Sequence, residues 1–254
     1  MRPKARRKVT EACPIGDVLP DISVVIPAYN EEASIKQCIF ETAGVLSTLQ
    51  RLFEIVVVDD GSRDATFQVL RDIRRELPQL RAVRFRQNRG QTAAMEAGFR
   101  AARGKIVVTV DADLQNDPAD IPKLLDAMGE WDAVCGVRVK RQDSFVRLIS
   151  SRIANWVRNT LSGESIRDTG CTLKAYRRDA LMQLKLFEGM HRFLPTLLKL
   201  AGYRVTEMAV GHRPRLYGET KYNVGNRVFK SFRDLLAVRW MKRRWIHYDV
   251  EEEI

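Results

Sequence analysis

Two carboxylates and a carboxamide follow one apolar run of the sequence at alternating positions. The run is Val107–Val110, and the polar residues are Asp111, Asp113 and Gln115. On an extended backbone every second side chain points to the same side, so we expect these three groups to share one face. Oxygen donors of this kind suit a hard divalent cation that also holds phosphate oxygens. The alternative is a strand that runs into an acidic turn, and the short motif alone does not decide between them.

Polar side chains also follow two earlier apolar runs. Tyr29 and Glu31 come after the first run, and Asp59 and Asp60 end the second. Because ligands of parallel α/β sheets bind beyond the carboxyl ends of the strands, we expect these residues to meet Asp111 at one edge. This convergence favours the metal interpretation more than any single motif does.

The elements that would position these residues alternate between strands and helices at short spacing. The predicted strands are Ile22–Ile26, Phe53–Val58, Arg81–Arg86 and Lys105–Val110, and the predicted helices are Ala33–Leu49, Asp64–Leu77 and Gln91–Arg103. Near-continuous apolar strands between helices predict an α/β fold with a mainly parallel sheet covered on both faces. Asn30 is the predicted N-cap of the first helix. The sequence has neither a G-x-G-x-x-G turn after the first strand nor a Walker A motif, which disfavours dinucleotide-binding oxidoreductases and P-loop phosphotransferases.

The charge balance points to an anionic partner. The 254 residues carry a formal net charge of +11, which suits nucleic acid, an anionic membrane surface or a phosphorylated ligand. No apolar run approaches the roughly 18 to 20 residues of a membrane span, and the basic start is not followed by the apolar segment of a secretory signal. The four cysteines are widely separated, so we expect free thiols in a reducing compartment.

The second half of the chain carries a basic helical face. Residues Ser144–Leu161 have helical spacing, with Arg147 and Ser151 on the face opposite the apolar stripe. They follow a short predicted strand that ends in Arg138. An ordinary amphipathic helix with solvated arginines is the alternative.

Four ordered motifs carry a resemblance to a known family. They read VIPAYNEE from Val25, VVDDGS from Val57, NRG from Asn88 and DADLQ from Asp111. Together they resemble family 2 glycosyltransferases of the GT-A fold, and more narrowly the polyprenyl-phosphate branch that includes dolichol-phosphate mannose synthases. The resemblance covers about residues 21–241.

The resemblance implies an inverting transfer of one sugar from a nucleotide-sugar, with GDP or UDP as the nucleotide, to a polyprenyl phosphate. Mg²⁺ or Mn²⁺ on the donor diphosphate would be bound by Asp111, Asp113 and Gln115. The residues implied in binding the nucleotide-sugar are Pro27, Tyr29, Glu31, Val58, Asp60, Asp111, Ala112, Asp113, Arg215 and Lys221. Arg215 and Lys221 would approach the diphosphate from a loop and assist the leaving group.

On the acceptor side, the resemblance implies that Arg138, Arg147 and Ser151 bind the lipid phosphate. Asp168 lies in a matching loop, where it could orient the acceptor, order the loop through Arg167 or act as a base. Because the second pKa of a phosphate monoester is near 6, the nucleophile is already an anion at neutral pH. We therefore predict no obligatory general base. Asp113, Asp168, Arg215 and Lys221 are the predicted catalytic residues.

The end of the chain predicts contact with a membrane or a protein. We expect a basic tail at residues 1–20, a GT-A domain at 21–222 and an amphipathic basic segment at 223–254. Trp240 and Trp245 lie among cations in the last segment, which is typical of a helix at an anionic membrane interface. A homo-oligomer or a membrane partner subunit is the alternative. The expected location is peripheral, on the cytoplasmic face of the inner membrane.

Two other functions compete with this prediction. A glycosyltransferase acting on a glycan or protein hydroxyl would keep the donor half, but a neutral hydroxyl needs a base. A nucleic-acid-binding module would use the net charge of +11. The acids at the predicted strand ends and the lack of a recognised nucleic-acid motif argue against it, so we expect no nucleic-acid partner.

Overall fold

The computed structural model describes residues 18–139, 166–214, 224–246 and 252, and for 224–232 it describes the backbone alone. The strands are β1 Ile22–Ala28, β2 Phe53–Asp59, β3 Leu80–Arg84, β4 Ile106–Thr109, β5 Ala133–Arg138, β6 Lys174–Arg177 and β7 Val205–Val210. The α-helices are α1 Ile35–Ser47, α2 Thr66–Glu76, α3 Gln91–Ala101, α4 Ile121–Ala127, α5 Arg178–Gln183, α6 Leu194–Leu200 and α7 Val224–Arg243. Short 3₁₀ turns at Pro118–Asp120 and Met190–Phe193 precede α4 and α6.

These strands form one mixed sheet in the order β3-β2-β1-β4-β6-β5-β7. β1 pairs in parallel with β2 and β4, and β2 with β3. β6 runs antiparallel to both of its neighbours, and β5 pairs in parallel with β7. The predicted α/β architecture with a mixed, mainly parallel sheet is confirmed. The division into a tail at 1–20, a domain at 21–222 and a segment at 223–254 stays a prediction.

Helices cover both faces of the sheet. One face packs against α1, α2 and α4, and the other against α3, α5, α6 and α7. α3 lies very close to β1, because a Cβ at Gly98 would overlap the Val25 side chain. Leu235 and Val238 are buried, so α7 packs onto the second face.

The predicted N-cap of the first helix is wrong. α1 begins at Ile35, five residues after Asn30, and Ser34 precedes it without a side-chain cap. Asn30 instead adopts a left-handed backbone with φ of 52°, and its Oδ1 accepts a hydrogen bond from the Arg63 N–H at 2.8 Å. The side chain therefore joins two loops, which the helix-start pattern did not indicate.

Candidate active site

The carboxyl ends of three parallel strands meet at one edge of the sheet. Ala28 pairs with Asp59 across β1 and β2, and the Asp60 N–H donates to the Ala28 carbonyl at 2.8 Å. On the other side of β1, Val25 pairs with Thr109 near the end of β4. The expected convergence of the residues that follow these strands is confirmed.

The loops after β1 and β2 are joined by side-chain hydrogen bonds. The Asn30 N–H donates to Ser62 Oγ at 2.9 Å, and the Glu31 N–H donates to Thr66 Oγ1 at 2.8 Å. Tyr29 and Glu31 are partly exposed beside these contacts. The edge is thus a connected polar surface.

Other residues predicted to bind the nucleotide-sugar differ in how far their side chains are exposed. Pro27 is partly exposed and pairs with Val58 across β1 and β2. Val58 is fully buried, and Ala112 is 4% exposed. The Val58 side chain therefore packs in the core beneath the edge.

Asp60 holds the segment that follows β3. Its carboxylate accepts from Asn88 Nδ2 at 2.9 Å, from the Arg89 N–H at 2.6 Å and from the Gly90 N–H at 2.8 Å. Burial raises the pKa of Asp60, and the backbone hydrogen bonds from Arg89 and Gly90 oppose that rise. Asp60 thereby fixes the start of α3, which begins one residue after Gly90.

The acidic segment after β4 is a turn, so the prediction of an extended backbone is wrong. The chain turns at Ala112 and Asp113, and Leu114 has a φ of 63°. Asp113 Oδ1 accepts from the Gln115 N–H at 3.2 Å, and Asn116 Oδ1 accepts from the Asp111 N–H at 2.8 Å. The tight turn, rather than alternation along a strand, keeps the carboxylates together. We call residues 111–115 the acidic turn.

Both carboxylate oxygens of Asp111 accept hydrogen bonds from other segments. Thr172 Oγ1 donates to Oδ2 at 2.6 Å, and Gln91 Nε2 donates to Oδ1 at 3.2 Å. Gln91 begins α3, and Thr172 lies just before β6. The orientation of Asp111 is therefore set by the two elements on either side of it.

The electrostatics of the acidic turn favour a cation. Burial and the nearby charge of Asp113 raise the pKa of Asp111 to about 6, while the Thr172 hydrogen bond and the charges of Arg138 and Lys174 oppose the rise. Asp113 is 9% exposed, so two carboxylates share a largely desolvated position. A divalent cation would relieve their repulsion, and Gln115 adds a neutral oxygen donor.

The donor set fits Mg²⁺ or Mn²⁺ bound together with a diphosphate. In the part of the chain that the structure describes, no group of three or more histidine, cysteine, aspartate or glutamate side chains could hold a metal ion. Two carboxylates and one amide leave positions open for water and phosphate oxygens, which is how proteins commonly bind Mg²⁺. The residues therefore suit a metal shared with a substrate better than a closed structural site.

The strand extension after β7 braces the acidic turn. The Arg213 N–H donates to the Gln115 carbonyl at 2.9 Å, and His212 forms an antiparallel bridge with Asn116. The Arg213 guanidinium bonds to Glu41 Oε2 at 2.6 Å and to Asp117 Oδ1 at 2.8 Å. Arg213 thus ties the turn to α1.

Arg138 and Asp168 form a bidentate ion pair. Arg138 Nε and Nη2 donate to Asp168 Oδ2 and Oδ1 at 2.7 and 2.8 Å, and both side chains are largely buried. Burial lowers the pKa of the Arg138 guanidinium, but the hydrogen bonds and charge of Asp168 outweigh this effect, so the pKa is raised overall. The pair places a fixed cation close enough to Asp111 to affect its pKa.

Arg167, the neighbour of Asp168, pairs with Glu207, and its N–H donates to Oε1 at 2.7 Å. An ordering of the loop by Asp168 through Arg167 stays a prediction. Of the remaining predicted site residues, Arg147, Ser151, Arg215 and Lys221 lie outside the described residues.

Four residues of this arrangement escaped the sequence reasoning: Gln91, Asn116, Thr172 and Arg213. Gln91 directly follows the Asn88–Gly90 motif, and Thr172 lies two residues after Gly170 of the Asp168 loop. The sequence could have indicated Gln91 and Thr172 only through their position next to these motifs. Asn116 contacts Asp111 only five residues away, within the acidic turn. The partners of the other three are distant in sequence, by 61 residues for Thr172 and Asp111, so periodicity could not indicate those contacts.

Comparisons with known proteins show the family of the chain. The sequence profile described as Glycosyl transferase family 2 matches residues 23–185. Over 229 residues the chain is 40% identical to a dodecaprenyl-phosphate galacturonate synthase of Rhizobium johnstonii, covering 88% of this chain and 68% of that protein. Over 205 residues it is 38% identical to an undecaprenyl-phosphate 4-deoxy-4-formamido-L-arabinose transferase of Aeromonas hydrophila, covering 80% of this chain and 63% of that protein. The chain thus spans about two thirds of the length of these relatives.

Two solved structures have the same fold. A glucosyl-3-phosphoglycerate synthase from Mycobacterium tuberculosis, in complex with Mn²⁺, UDP and phosphoglyceric acid, aligns with a TM-score of 0.64 at 23% identity, over 90% of this chain and 80% of that one. A mannosyltransferase from Pyrobaculum calidifontis, in complex with GDP-Man and Mn²⁺, aligns with a TM-score of 0.60 at 21% identity, over 91% and 66%. At this identity the likeness is one of fold.

Proposed function

The chain belongs to glycosyl transferase family 2, and from this premise we propose that it transfers one sugar from a nucleotide-sugar to a polyprenyl phosphate. The donor carries GDP or UDP, the acceptor is an undecaprenyl or dolichyl phosphate, and the anomeric configuration inverts. The product is a lipid-linked sugar that serves glycan or lipid modification in the cell envelope. The names of the relatives, which include dodecaprenyl- and undecaprenyl-phosphate sugar transferases, support the acceptor class.

One observation carries this proposal above the others. Asp111 interacts with the negative charge of Asp113 and with the positive charge of Arg138, and Thr172, which donates to Asp111, lies two residues after Gly170, whose N–H donates to the Asp168 carboxylate that holds Arg138. An acidic half and a basic half of the site therefore meet near Asp111. The acidic half suits a metal-bound diphosphate, and the basic half suits a second phosphate. An enzyme that transfers the sugar of a nucleotide-sugar to a lipid phosphate, and releases the nucleoside diphosphate, needs both halves.

On the donor side, Asp111, Asp113 and Gln115 would hold Mg²⁺ or Mn²⁺. The bound ion would neutralise the charge that develops on the leaving diphosphate. The nucleotide would lie along the edge formed by Pro27, Tyr29, Glu31 and Asp60, with Val58 and Ala112 packed beneath. Arg215 and Lys221 are proposed to contact the diphosphate, as the family resemblance implies.

On the acceptor side, Arg138 would bind the lipid phosphate, with Arg147 and Ser151 as the partners that the resemblance implies. A guanidinium already held by a carboxylate presents its remaining N–H groups in a fixed direction, which favours a phosphate oxygen. Because the phosphate is ionised near neutral pH, Asp168 need not remove a proton. Its two bonds to Arg138 support an orienting role.

A glycan or protein hydroxyl is the weaker acceptor candidate. Such a hydroxyl needs a base, and the carboxylate of Asp168 is engaged by Arg138 through both oxygens. The geometry therefore favours the phosphate acceptor.

We also propose that α7 contacts an anionic membrane surface. Leu236, Trp240 and Ile246 are exposed, at 45%, 63% and 80%, beside a cluster of arginine and lysine side chains at 239 and 242–244. Exposed apolar and aromatic groups among cations suit the headgroup region of a bilayer. Within the described ranges, no helix is both long and apolar enough to cross a membrane. A homo-oligomer or a partner subunit remains the competing occupant.

The membrane contact would lie on the cytoplasmic face. Cys38, Cys135 and Cys171 are buried free thiols, which suits a reducing compartment. Burial also raises the pKa of Cys171 to about 11, which disfavours the thiolate form that a nucleophile needs.

Release of nucleoside diphosphate by the purified protein tests the reaction. The assay contains Mn²⁺, a panel of GDP- and UDP-sugars, and vesicles of phosphatidylglycerol with or without a polyprenyl phosphate. We expect release that requires both the lipid phosphate and the metal. Asp113→Asn should abolish it, while Asp72→Asn, at an exposed carboxylate of α2, should not. Release without lipid phosphate, or an active Asp113→Asn enzyme, would refute the proposal.

A further inference from the structure

We propose that Thr172 is a positioning residue that couples the acceptor-phosphate side of the site to the metal side. This inference rests on the proposed function, because it takes Asp111 as a metal-binding residue and Arg138 as the phosphate-binding residue. It adds a prediction about how the two substrates affect each other.

Thr172 makes the shorter of the two hydrogen bonds that orient Asp111. Its hydroxyl donates to Oδ2 at 2.6 Å, whereas Gln91 donates to Oδ1 at 3.2 Å. Hydrogen bonds from hydroxyl to carboxylate in the range of 2.5–2.7 Å are the strong, charge-assisted kind. The position of Thr172 therefore decides the direction of the Asp111 carboxylate.

The same stretch of backbone holds the acceptor side. The Gly170 N–H donates to Asp168 Oδ1 at 3.1 Å, and the same oxygen accepts from Arg138 Nη2. A Cβ at Gly170 would lie 3.0 Å from Arg138 Nη2, so the loop backbone rests against the guanidinium. Only Cys171 separates Gly170 from Thr172, and that side chain is 1% exposed.

The segment is also fixed at its far end. The Thr109 hydroxyl of β4 donates to the Thr172 carbonyl, and the Gly136 N–H of β5 donates to the Leu173 carbonyl at 3.0 Å. Leu173 is fully buried. Because the backbone is held by strands on both sides, the spacing between Gly170 at the Arg138 guanidinium and the Thr172 hydroxyl at Asp111 is fixed, which is what coupling between the two contacts requires.

A phosphate bound at Arg138 would therefore stabilise the Asp111 orientation that binds the metal. Coupling of this kind is reciprocal, so bound metal must raise the affinity for lipid phosphate by the same factor. We expect a factor of about ten, within the usual range for coupled sites. The contact is a single hydroxyl, so the coupling depends on an atom that an isosteric substitution removes.

The test measures Mn²⁺ binding and needs no turnover. Electron paramagnetic resonance of free Mn²⁺ gives the Mn²⁺ affinity of the full chain with and without farnesyl phosphate. We expect farnesyl phosphate to raise the wild-type affinity about tenfold. The Thr172→Val variant should not show this increase. The Thr172→Ser variant, which keeps the hydroxyl, should show it as the wild type does. Thr48→Val is the control, because that hydroxyl donates to the Val45 carbonyl in the last turn of α1.

The outcomes distinguish the coupling through Thr172 from the metal binding on which it rests. A Thr172→Val protein that keeps the full increase overturns the coupling through Thr172. Wild-type protein that binds Mn²⁺ without any effect of farnesyl phosphate overturns the coupling and leaves the donor metal site intact. Absence of Mn²⁺ binding by the wild type overturns both this inference and the metal-dependent function. Should Thr172→Val fail to melt cooperatively by circular dichroism, Thr172→Ala provides the same comparison.

Discussion

Replacing Asp168 with asparagine distinguishes an orienting role from a catalytic base. The substitution keeps the shape of the side chain but removes the charge that holds Arg138. One amide oxygen can still accept from the guanidinium, while the new NH₂ group faces a donor. One of the bonds at 2.7 and 2.8 Å is therefore lost.

The expected loss follows from the strength of such bonds. A hydrogen bond between charged groups contributes about 1.5–3 kcal/mol, and both side chains of this pair are largely buried, which limits solvent screening. We therefore expect the loss of one hydrogen bond to Arg138 to weaken transition-state binding by about 2 kcal/mol. That corresponds to a loss of about thirtyfold in kcat/KM for the lipid phosphate. The KM for the nucleotide-sugar should stay unchanged.

The assay follows sugar transfer at several acceptor concentrations and between pH 5 and pH 8. Because the acceptor phosphate loses its second proton near pH 6, activity should fall below that pH in both the wild type and Asp168→Asn. Asp132→Asn is the matched control, since this carboxylate pairs with Arg177 at 3.1 Å near the opposite end of β5. Urea unfolding checks that both variants are folded.

A different result would restore the base mechanism. If Asp168→Asn lowered kcat more than a thousandfold at every pH with an unchanged acceptor KM, proton removal by Asp168 would be required. The orienting role through Arg138 would then be wrong.

Two further predictions concern the brace of the acidic turn and the packing of α3. Arg213→Gln removes two partly exposed ion pairs, so it should cost only about 1 kcal/mol of unfolding free energy yet weaken Mn²⁺ affinity severalfold. Unchanged Mn²⁺ binding would show that the guanidinium contacts do not support the acidic turn. Gly98→Ala should lower the unfolding free energy by about 1–2 kcal/mol, because overlap with Val25 outweighs the helix preference of alanine. Gly44→Ala, where a Cβ would meet open space, should raise the unfolding free energy by about 0.5–1 kcal/mol. Urea unfolding that finds Gly98→Ala more stable than Gly44→Ala would contradict the close packing of α3 on β1.

Much of the fold could be predicted from the order of the elements. Apolar runs of four to seven residues between amphipathic segments require a parallel sheet with helices on both faces, and the ends of β1, β2 and β4 meet as expected. Element boundaries differed from the predicted ones by at most two residues, because the ends of an element are decided by local hydrogen bonds rather than by periodicity. The antiparallel insertion of β6 between β4 and β5 depends on long-range pairing.

The candidate site was predicted in its residue types but not in its contacts. Asp111 and Asp113 lie close enough for their charges to interact, but for another local reason than expected, because a turn with Leu114 at positive φ replaces the extended backbone. A role of Gln115 beside them stays a prediction. Asp60 was predicted to bind the nucleotide, and the structure shows in addition that its carboxylate fixes the segment before α3. Sequence patterns report periodicity and spacing, and they do not report which distant group a side chain meets.

The sequence by itself determined the layered α/β fold, the family and the acidic edge, because these depend on local patterns that survive in one dimension. The tertiary structure alone decided that Asp168 pairs with Arg138, and that the Thr172 hydroxyl donates to Asp111. Those partners lie 30 and 61 residues apart. Only a folded sheet brings such groups within hydrogen-bonding distance, since the order of its strands differs from their order in the chain.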